Sequence, residues 1–241
     1  MNKPWLQLIL LDMMIVVGAN SQLGLAFTKK LNQNGFNYLV LVDNVSSENR
    51  SQHNDVKFWQ HLSVNELWQK AQDKYEEIEF IFWCKNSTVD RDYTLLEKLW
   101  SLGHREQIPI IAVAYENSKS NAPKHLSHEA APFFWAILRI SGFLASEEKD
   151  HSILLSGNSK YREMSKTLVR EVVNIMYFFL HLRKNSGRYL VPCQLIQAGL
   201  KEDGELADPS KREQFYVDNR DAISRLQKIG YQFLVNYPDG N

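Results

Sequence analysis

A glycine-containing turn between a predicted strand and a predicted helix is the ligand-binding feature this sequence displays most clearly. Residues 14–24 read Met-Ile-Val-Val-Gly-Ala-Asn-Ser-Gln-Leu-Gly, and Asp43 follows the next apolar run, 19 positions after Gly24. In such an arrangement the first glycine, Gly18, permits a tight turn, and N–H groups at the helix N-terminus face a pyrophosphate. The acid accepts hydrogen bonds from a ribose. The spacing therefore predicts a dinucleotide site whose candidate residues are Gly18, Ser21, Gln22, Leu23, Gly24, Asp43 and Asn44.

A tyrosine and a lysine four positions apart, Tyr115 and Lys119, are the second group that could do chemistry. A lysine ammonium beside a phenol lowers the phenol pKa, so that the phenolate can act as a base. That requires both side chains one turn apart on a helix. Here Tyr115 ends a predicted strand and Lys119 lies in a polar loop. We therefore expect no catalytic residues, and the pair is kept as the alternative.

The histidines and cysteines do not indicate a metal centre. His125 and His128 lie three apart in a predicted loop with no third ligand nearby, so we interpret them as solvated side chains. Cys84 and Cys193 form no Cys-x-x-Cys pair, which indicates two reduced thiols in a reducing compartment. We interpret Cys84 as a small buried hydrophobe, because no histidine with an orienting acid accompanies it.

The composition favours a soluble protein that does not bind nucleic acid. The 28 basic residues balance the 28 acidic ones among 241 residues, and nucleic acid binding needs a surplus of Lys and Arg. The short apolar run Trp5–Leu11 is a poor signal peptide, because Asp12 breaks it and no small-residue cleavage site follows. No run reaches the roughly 18 apolar residues that span a bilayer. We expect a cytoplasmic protein with residues 1–12 as an N-terminal extension.

Apolar runs alternate with helical periodicity over the first ~120 residues, which predicts right-handed β-α-β crossovers and a parallel sheet. We predict strands at Met14–Val17, Tyr38–Val42, Val56–Trp59, Ile78–Cys84, Ile108–Tyr115, Ser152–Leu155 and Ser186–Val191. We predict helices at Leu23–Asn34, Asp90–Leu102, Glu129–Leu144, Glu163–His181 and Asp218–Ile229. A further helix is predicted to begin at Ser63, which forms a capping box with Glu66. Gly35, Gly103 and Gly230 are the predicted stops of the first, second and last of the five helices. The fold class is α/β, a Rossmann-like doubly wound parallel sheet with helices on both faces.

The sequence resembles the extended short-chain dehydrogenase/reductase superfamily, in particular sugar-nucleotide epimerases of the ADP-heptose 6-epimerase type. That family carries Gly-x-x-Gly-x-x-Gly after its first strand and Val-Asp-Asn at the end of its second. Here Gly18 and Gly24 match the first and last glycines, and Val42-Asp43-Asn44 matches the second motif. Weaker likenesses follow at Glu79–Phe82, Arg105–Pro109, Gly187–Leu190 and Asn219–Tyr231. The resemblance implies an NAD cofactor. It also implies one domain, 1–241, with the sheet and helices in 13–195 and a remnant of a reduced substrate domain in 196–241.

Four departures from the family pattern predict a loss of catalysis. Ser21 replaces the middle glycine, where a side chain hinders the approach of a pyrophosphate. Trp83 brings bulk to the end of the fourth strand, where it would fill cofactor space. The fifth strand carries Ala112-Val113-Ala114 in place of the hydroxyl donors that polarise the substrate, and the Glu129–Leu144 segment holds neither Tyr nor Lys.

Consecutive aromatic residues suggest a protein contact surface. One helix cannot bury Phe133, Phe134 and Trp135 on a single face, and Tyr177 and Phe178 repeat the pattern. We expect part of each group at a protein interface, with core burial beneath loops as the competing explanation.

Together these features favour a non-catalytic, epimerase-like subunit of a larger assembly, with no cofactor expected, NAD possible and no metal. Its partners would be other protein subunits, as a homo- or hetero-oligomer. One alternative is an NAD(P)-dependent sugar-nucleotide epimerase or reductase that uses Tyr115 and Lys119. The other is a regulatory protein that senses a dinucleotide through Asp43 and the Gly18 turn.

Overall fold

Seven parallel strands form the sheet of the computed structural model, which describes residues 13–43, 53–85, 90–116, 133–141, 166–182, 186–191 and 220–234. The strands are β1 (Met13–Val17), β2 (Leu39–Val42), β3 (Gln60–Leu62), β4 (Ile78–Trp83), β5 (Ile110–Glu116), β6 (Trp135–Ser141) and β7 (Gly187–Val191). Their order is β3-β2-β1-β4-β5-β6-β7, and every pairing is parallel. This is the doubly wound order, so the predicted fold class is confirmed.

Helices cover both faces of the sheet and divide its hydrophobic core in two. The helices are α1 (Gln22–Gln33), α2 (Val64–Lys74, followed by a short 3₁₀ turn at Tyr75–Glu77), α3 (Asp90–Glu106), α4 (Lys166–His181) and α5 (220–228). The first core contains side chains of α1, α4 and α5, and the second core contains side chains of α2 and α3. The strands contribute to both cores because successive side chains point to opposite faces.

Several local predictions are confirmed by hydrogen bonds. At the start of α2, the Ser63 N–H donates to Glu66 Oε2 at 2.7 Å and the Glu66 N–H donates to Ser63 Oγ at 3.3 Å, which is the predicted capping box. At the end of α1, Gly35 has a φ of 89° and the Phe36 N–H donates to the Leu31 carbonyl. This is the Schellman arrangement expected of a glycine stop.

The prediction of a helix at Glu129–Leu144 is wrong, because β6 occupies Trp135–Ser141. Alternate side chains of this segment enter the two cores, with Phe134 in the first core and Phe133 and Trp135 in the second. All three are buried. A strand buried on both faces has a continuous apolar sequence, and the three rings belong to the interior of the chain rather than to a surface.

Smaller boundary predictions also need correction. Residues 56–59 precede β3 instead of forming it. Gly103 lies inside α3, where an added Cβ would be 2.6 Å from Ile110 Cδ1, so this glycine allows helix and strand to pack closely. The helix ends at Glu106, and the next residue, Gln107, has the left-handed φ of 57° that the stop requires. The predicted strand Ser152–Leu155 lies outside the described residues. Within the described part of the chain, no helix is long and apolar enough to cross a membrane.

Candidate functional site

The strand order reverses at β1, which lies between β2 and β4. In open parallel sheets the crevice beyond the carboxyl ends of the strands at such a point is where ligands bind. The residues that follow the three strands are Gly18 after β1, Asp43 after β2, and Cys84 and Lys85 after β4. The sheet thus places the predicted turn and the predicted acid at the same edge.

Gly18 and Gly24 are required by the packing of the turn itself. An added Cβ on Gly18 would lie 2.6 Å from both the N and the Cα of Lys85, and Gly18 has a φ of 81°. An added Cβ on Gly24 would lie 2.2 Å from the Gly18 carbonyl oxygen. Both distances are well below van der Waals contact, so the protein fold alone accounts for both glycines.

Ser21 caps α1 and binds the end of β4. Its Oγ accepts a hydrogen bond from the Gly24 N–H at 2.9 Å and donates one to the Cys84 carbonyl oxygen at 3.0 Å. A serine at the N-cap satisfies one of the helix's unpaired N–H groups in this way. The hydroxyl is therefore held within the turn by two protein partners, and the Gly24 N–H is already paired.

Asp43 is hydrogen-bonded to the glycine turn. Its Oδ2 accepts from the Asn20 N–H at 3.1 Å, and its own N–H donates to the Leu62 carbonyl at the end of β3. The side chain is half-buried. The acid therefore lies beside the N-terminus of α1, which is the juxtaposition that the sequence spacing predicts.

His53 is a neighbour of this site that the sequence analysis missed. Its side chain is only 2% exposed, and its Nε2 lies 2.7 Å from the Asn20 Oδ1. Its ring makes edge contacts with Phe58 and His61. Burial, with the nearby His61, lowers the pKa of His53, whereas Asp43 and the adjacent Asp55 oppose that shift. His53 lies in a polar stretch without periodicity, and the contact spans 33 positions, so the sequence offers no local indication of it.

Trp83 does not fill the crevice, and that prediction is wrong. Its side chain is 3% exposed and packs in the second core, beneath α2 and α3. The alternation of β4 sends the next side chain, Cys84, into the first core, where it is fully buried. Burial raises the pKa of the Cys84 thiol far above its usual range. The prediction that Cys84 is a small buried side chain is confirmed by its burial.

The alternative catalytic pair is only partly within the described residues. Tyr115 is a residue of β5 whose backbone is in register with Ile140 of β6, so it lies on a strand near the carboxyl edge and not on a helix. Lys119 lies outside the described residues, as do Asn44, His125 and His128. Among the residues that the structure describes, no group of three His, Cys, Asp or Glu side chains could hold a metal ion.

Tyr177 and Phe178 lie half-buried on α4, against the first core. The ammonium of Lys30 lies 5.1 Å from the centroid of the Tyr177 ring, and the His181 ring lies 4.7 Å away. Their predicted contact with another protein stays a prediction.

Comparison with known proteins gives a likeness of fold. No family model and no curated protein matches the sequence. Similar solved structures include the UDP-N-acetylglucosamine 4-epimerase of Bacillus cereus, with a TM-score of 0.50 and 10% identity over 93% of this chain and 94% of that one. They also include the Bordetella bronchiseptica enzyme WbmF in complex with NADH, with a TM-score of 0.50 and 13% identity over 95% of this chain and 82% of that one.

This chain shares the fold of these two enzymes. An engineered reductase extends the likeness, with a TM-score of 0.52 and 10% identity over 92% of this chain and 95% of the reductase. The alignments cover nearly the whole of both chains. At these identities the likeness concerns the course of the backbone, so binding and catalysis have to be argued from this chain's own side chains.

Proposed function

We propose that this chain binds NAD(H) across the carboxyl ends of β1, β2 and β4. The observation that carries the proposal is the hydrogen bond between the Asn20 N–H and Asp43 Oδ2, which places a carboxylate beside the N-terminus of α1 at the reversal point of the sheet. Dinucleotide sites share two elements in one crevice: a carboxylate that accepts a hydrogen bond from a ribose hydroxyl, and a helix N-terminus that faces the pyrophosphate.

The residues present fit such a cofactor in three respects. The side chain of Trp83 is packed in the second core and therefore does not occupy the crevice. The N-terminus of α1 lies at this edge of the sheet, where the helix dipole favours a pyrophosphate, and Ser21 Oγ accepts from the N–H of Gly24. The carboxylate of Asp43 favours a ribose hydroxyl and repels a 2′-phosphate, so NAD(H) is preferred to NADP(H).

The proposed role is binding without turnover, with the dinucleotide acting as a signal. The nicotinamide ring would supply hydride transfer when bound, but a substrate hydroxyl needs a base beside it. The 18 residues 117–134, which join β5 to β6, contain no tyrosine, and β5 carries Ala112-Val113-Ala114 at its centre. We therefore propose a dinucleotide-sensing protein.

A second candidate is an NAD-dependent epimerase or reductase that uses Tyr115. The position of Tyr115 on β5, near the carboxyl edge of the sheet that carries the proposed site, favours this candidate. Lys119 follows four positions later and would be the group that lowers the phenol pKa.

Calorimetric titration of the full chain with NAD⁺ and NADP⁺ tests the main proposal. NAD⁺ is expected to bind saturably and more tightly than NADP⁺, and Asp43→Asn should weaken NAD⁺ binding by about tenfold, the value of a hydrogen bond to a charged acceptor. Asp221→Asn is the matched control, because Asp221 lies exposed on α5 and should leave affinity unchanged. Equal binding by wild type and Asp43→Asn would overturn the assigned site.

Turnover distinguishes the two candidates. Wild type and Tyr115→Phe are incubated with NAD⁺ and a panel of sugar nucleotides, and NADH absorbance and sugar epimerisation are followed. The sensing proposal expects no turnover by either protein. Turnover by wild type that Tyr115→Phe abolishes would establish the second candidate instead.

A further inference from the structure

His53 makes a buried contact that has no role in the proposed binding of the ribose and the pyrophosphate. Its ring is 2% exposed, and its Nε2 lies 2.7 Å from the Asn20 Oδ1. An amide oxygen only accepts hydrogen bonds, so the proton of this contact belongs to His53 Nε2. The other ring nitrogen, Nδ1, is buried and has no hydrogen-bond partner among the described residues.

The segment that carries His53 is anchored to α1 at two further points. Asp55 pairs with Lys29. The Lys57 N–H donates to Asn32 Oδ1 at 2.7 Å, and Asn32 Nδ2 donates to the Lys57 carbonyl at 2.9 Å. Because both anchors lie on the helix that begins at the glycine turn, the histidine ring is held at a fixed place relative to that turn.

Asn20 connects the histidine to the proposed ribose acceptor. Its side-chain oxygen accepts from His53, and its backbone N–H donates to Asp43 Oδ2 at 3.1 Å. Displacement of the Asn20 peptide would therefore disturb both bonds. The three residues form one chain of hydrogen bonds from the buried segment to the carboxylate.

We propose that His53 is a positioning residue for nucleotide specificity: through Asn20 it fixes the Asp43 carboxylate where it accepts a ribose hydroxyl and excludes a 2′-phosphate. This inference rests on the proposed function and assigns the specificity of that site to a residue outside the glycine motif.

The charges around His53 agree with this role. Asp43 after β2, Asp55 on the same segment and His61 on β3 are the ionisable groups that act on its ring. Burial lowers the pKa of His53, which favours the neutral ring. A neutral ring leaves the negative charge of Asp43 unopposed, and that charge is what repels a 2′-phosphate.

The test is the ratio of the NADP⁺ and NAD⁺ dissociation constants, measured by calorimetry on the full chain. His53→Leu removes the donor and should reduce the ratio by about tenfold, since one charge-assisted contact is misplaced. His53→Gln retains an N–H donor and should keep most of the wild-type ratio. His104→Leu, on the exposed end of α3, is the control for loss of an imidazole elsewhere.

Asn20→Ala keeps the backbone N–H and removes the side-chain link, so it should reproduce the ratio of His53→Leu. The double variant should show no further change. Asn20→Ala decides the matter if His53→Leu does not fold. A general loss of stability would weaken the binding of both nucleotides alike and leave the ratio of their dissociation constants unchanged.

The outcomes separate this inference from the function on which it rests. If wild type binds neither nucleotide, the proposed function and the inference are both overturned. If wild type prefers NAD⁺ and the ratio is unchanged in His53→Leu and Asn20→Ala, the proposed function stands and the role of His53 is overturned.

Discussion

The hydroxyl of Ser21 donates a hydrogen bond to the carbonyl oxygen of Cys84 at 3.0 Å. This contact joins the first turn of α1 to the end of β4, two elements separated by 63 positions in the sequence. The residue that departs from the family's glycine pattern is therefore also the one that connects the turn to the neighbouring strand. Its replacement tests how far the edge of the sheet depends on that contact.

Ser21→Ala should destabilise the protein by about 1–2 kcal/mol, because it removes an N-cap and leaves the Cys84 carbonyl without its side-chain partner. The measurement is urea unfolding followed by circular dichroism. Ser101→Ala is the control, since Ser101 Oγ donates to the Glu97 carbonyl on the exposed side of α3, and it should change the free energy of unfolding by less than about 0.5 kcal/mol. Equal losses in the two variants would contradict the structural role of Ser21.

Gly24→Ala should destabilise the protein far more than Gly35→Ala. The new Cβ would lie 2.2 Å from the Gly18 carbonyl oxygen, which is backbone and cannot move without opening the turn. At Gly35 nothing lies within 4 Å, so the cost there is the left-handed φ of 89° alone, about 1–2 kcal/mol. Thermal unfolding of both variants checks the order. A Gly24→Ala protein as stable as Gly35→Ala would show that the turn is looser than described.

Glu171 on α4 should make stability depend on pH. Its side chain is fully buried, and it accepts hydrogen bonds from the Tyr231 hydroxyl at 2.6 Å and from the Leu234 N–H. Burial raises its pKa above the ordinary value of 4.5, although these bonds and Arg170 oppose the shift. The folded state therefore binds more protons than the unfolded state between the two pKa values, so stability falls as pH rises through that interval.

Glu171→Gln removes this titration, so the variant should gain stability relative to wild type as pH rises above 4.5. Chemical unfolding of both proteins over a pH series gives the two profiles. Parallel profiles would show that Glu171 does not titrate differently in the folded and unfolded states.

Trp135→Ala should cost about 3–5 kcal/mol, the usual cost of removing a large buried ring. Trp135 is 4% exposed and packs edge-on against Trp100 in the second core, with ring centroids 5.4 Å apart. Trp59→Ala is the matched control, because Trp59 is 40% exposed although it packs on Tyr38. It should cost about 1 kcal/mol or less. Comparable losses for the two tryptophans would contradict the placement of β6 in the core.

The sequence predicted the elements whose pattern is local. Leu23, Phe27 and Leu31 repeat at helical spacing and are all buried on α1, and the capping box at Ser63 is formed as expected. Segments buried on both faces have no such period, so the apolar sequence of β6 also fits a helix. The direction of Trp83 depends on the register of β4, which the sequence of that strand does not fix.

In the candidate site, too, some residues could be predicted from the sequence and others could not. The spacing of Gly18 and Asp43 predicted their common edge, since both follow strands of a parallel sheet. His53 and Asn20 are polar residues 33 positions apart, and neither periodicity nor composition brings them together. Their contact depends on the path of the chain beside α1, which only the folded structure supplies.

The most direct test of NAD(H) binding at this edge is a titration of ¹⁵N-labelled full chain with NAD⁺, followed by backbone amide chemical shifts. The account predicts saturable shifts concentrated on the N–H groups of residues 18–24, on Asp43 and on Cys84 and Lys85. The absence of saturable shifts, or their concentration on the groove between α2 and α3 around Trp68 and Lys98, would contradict it.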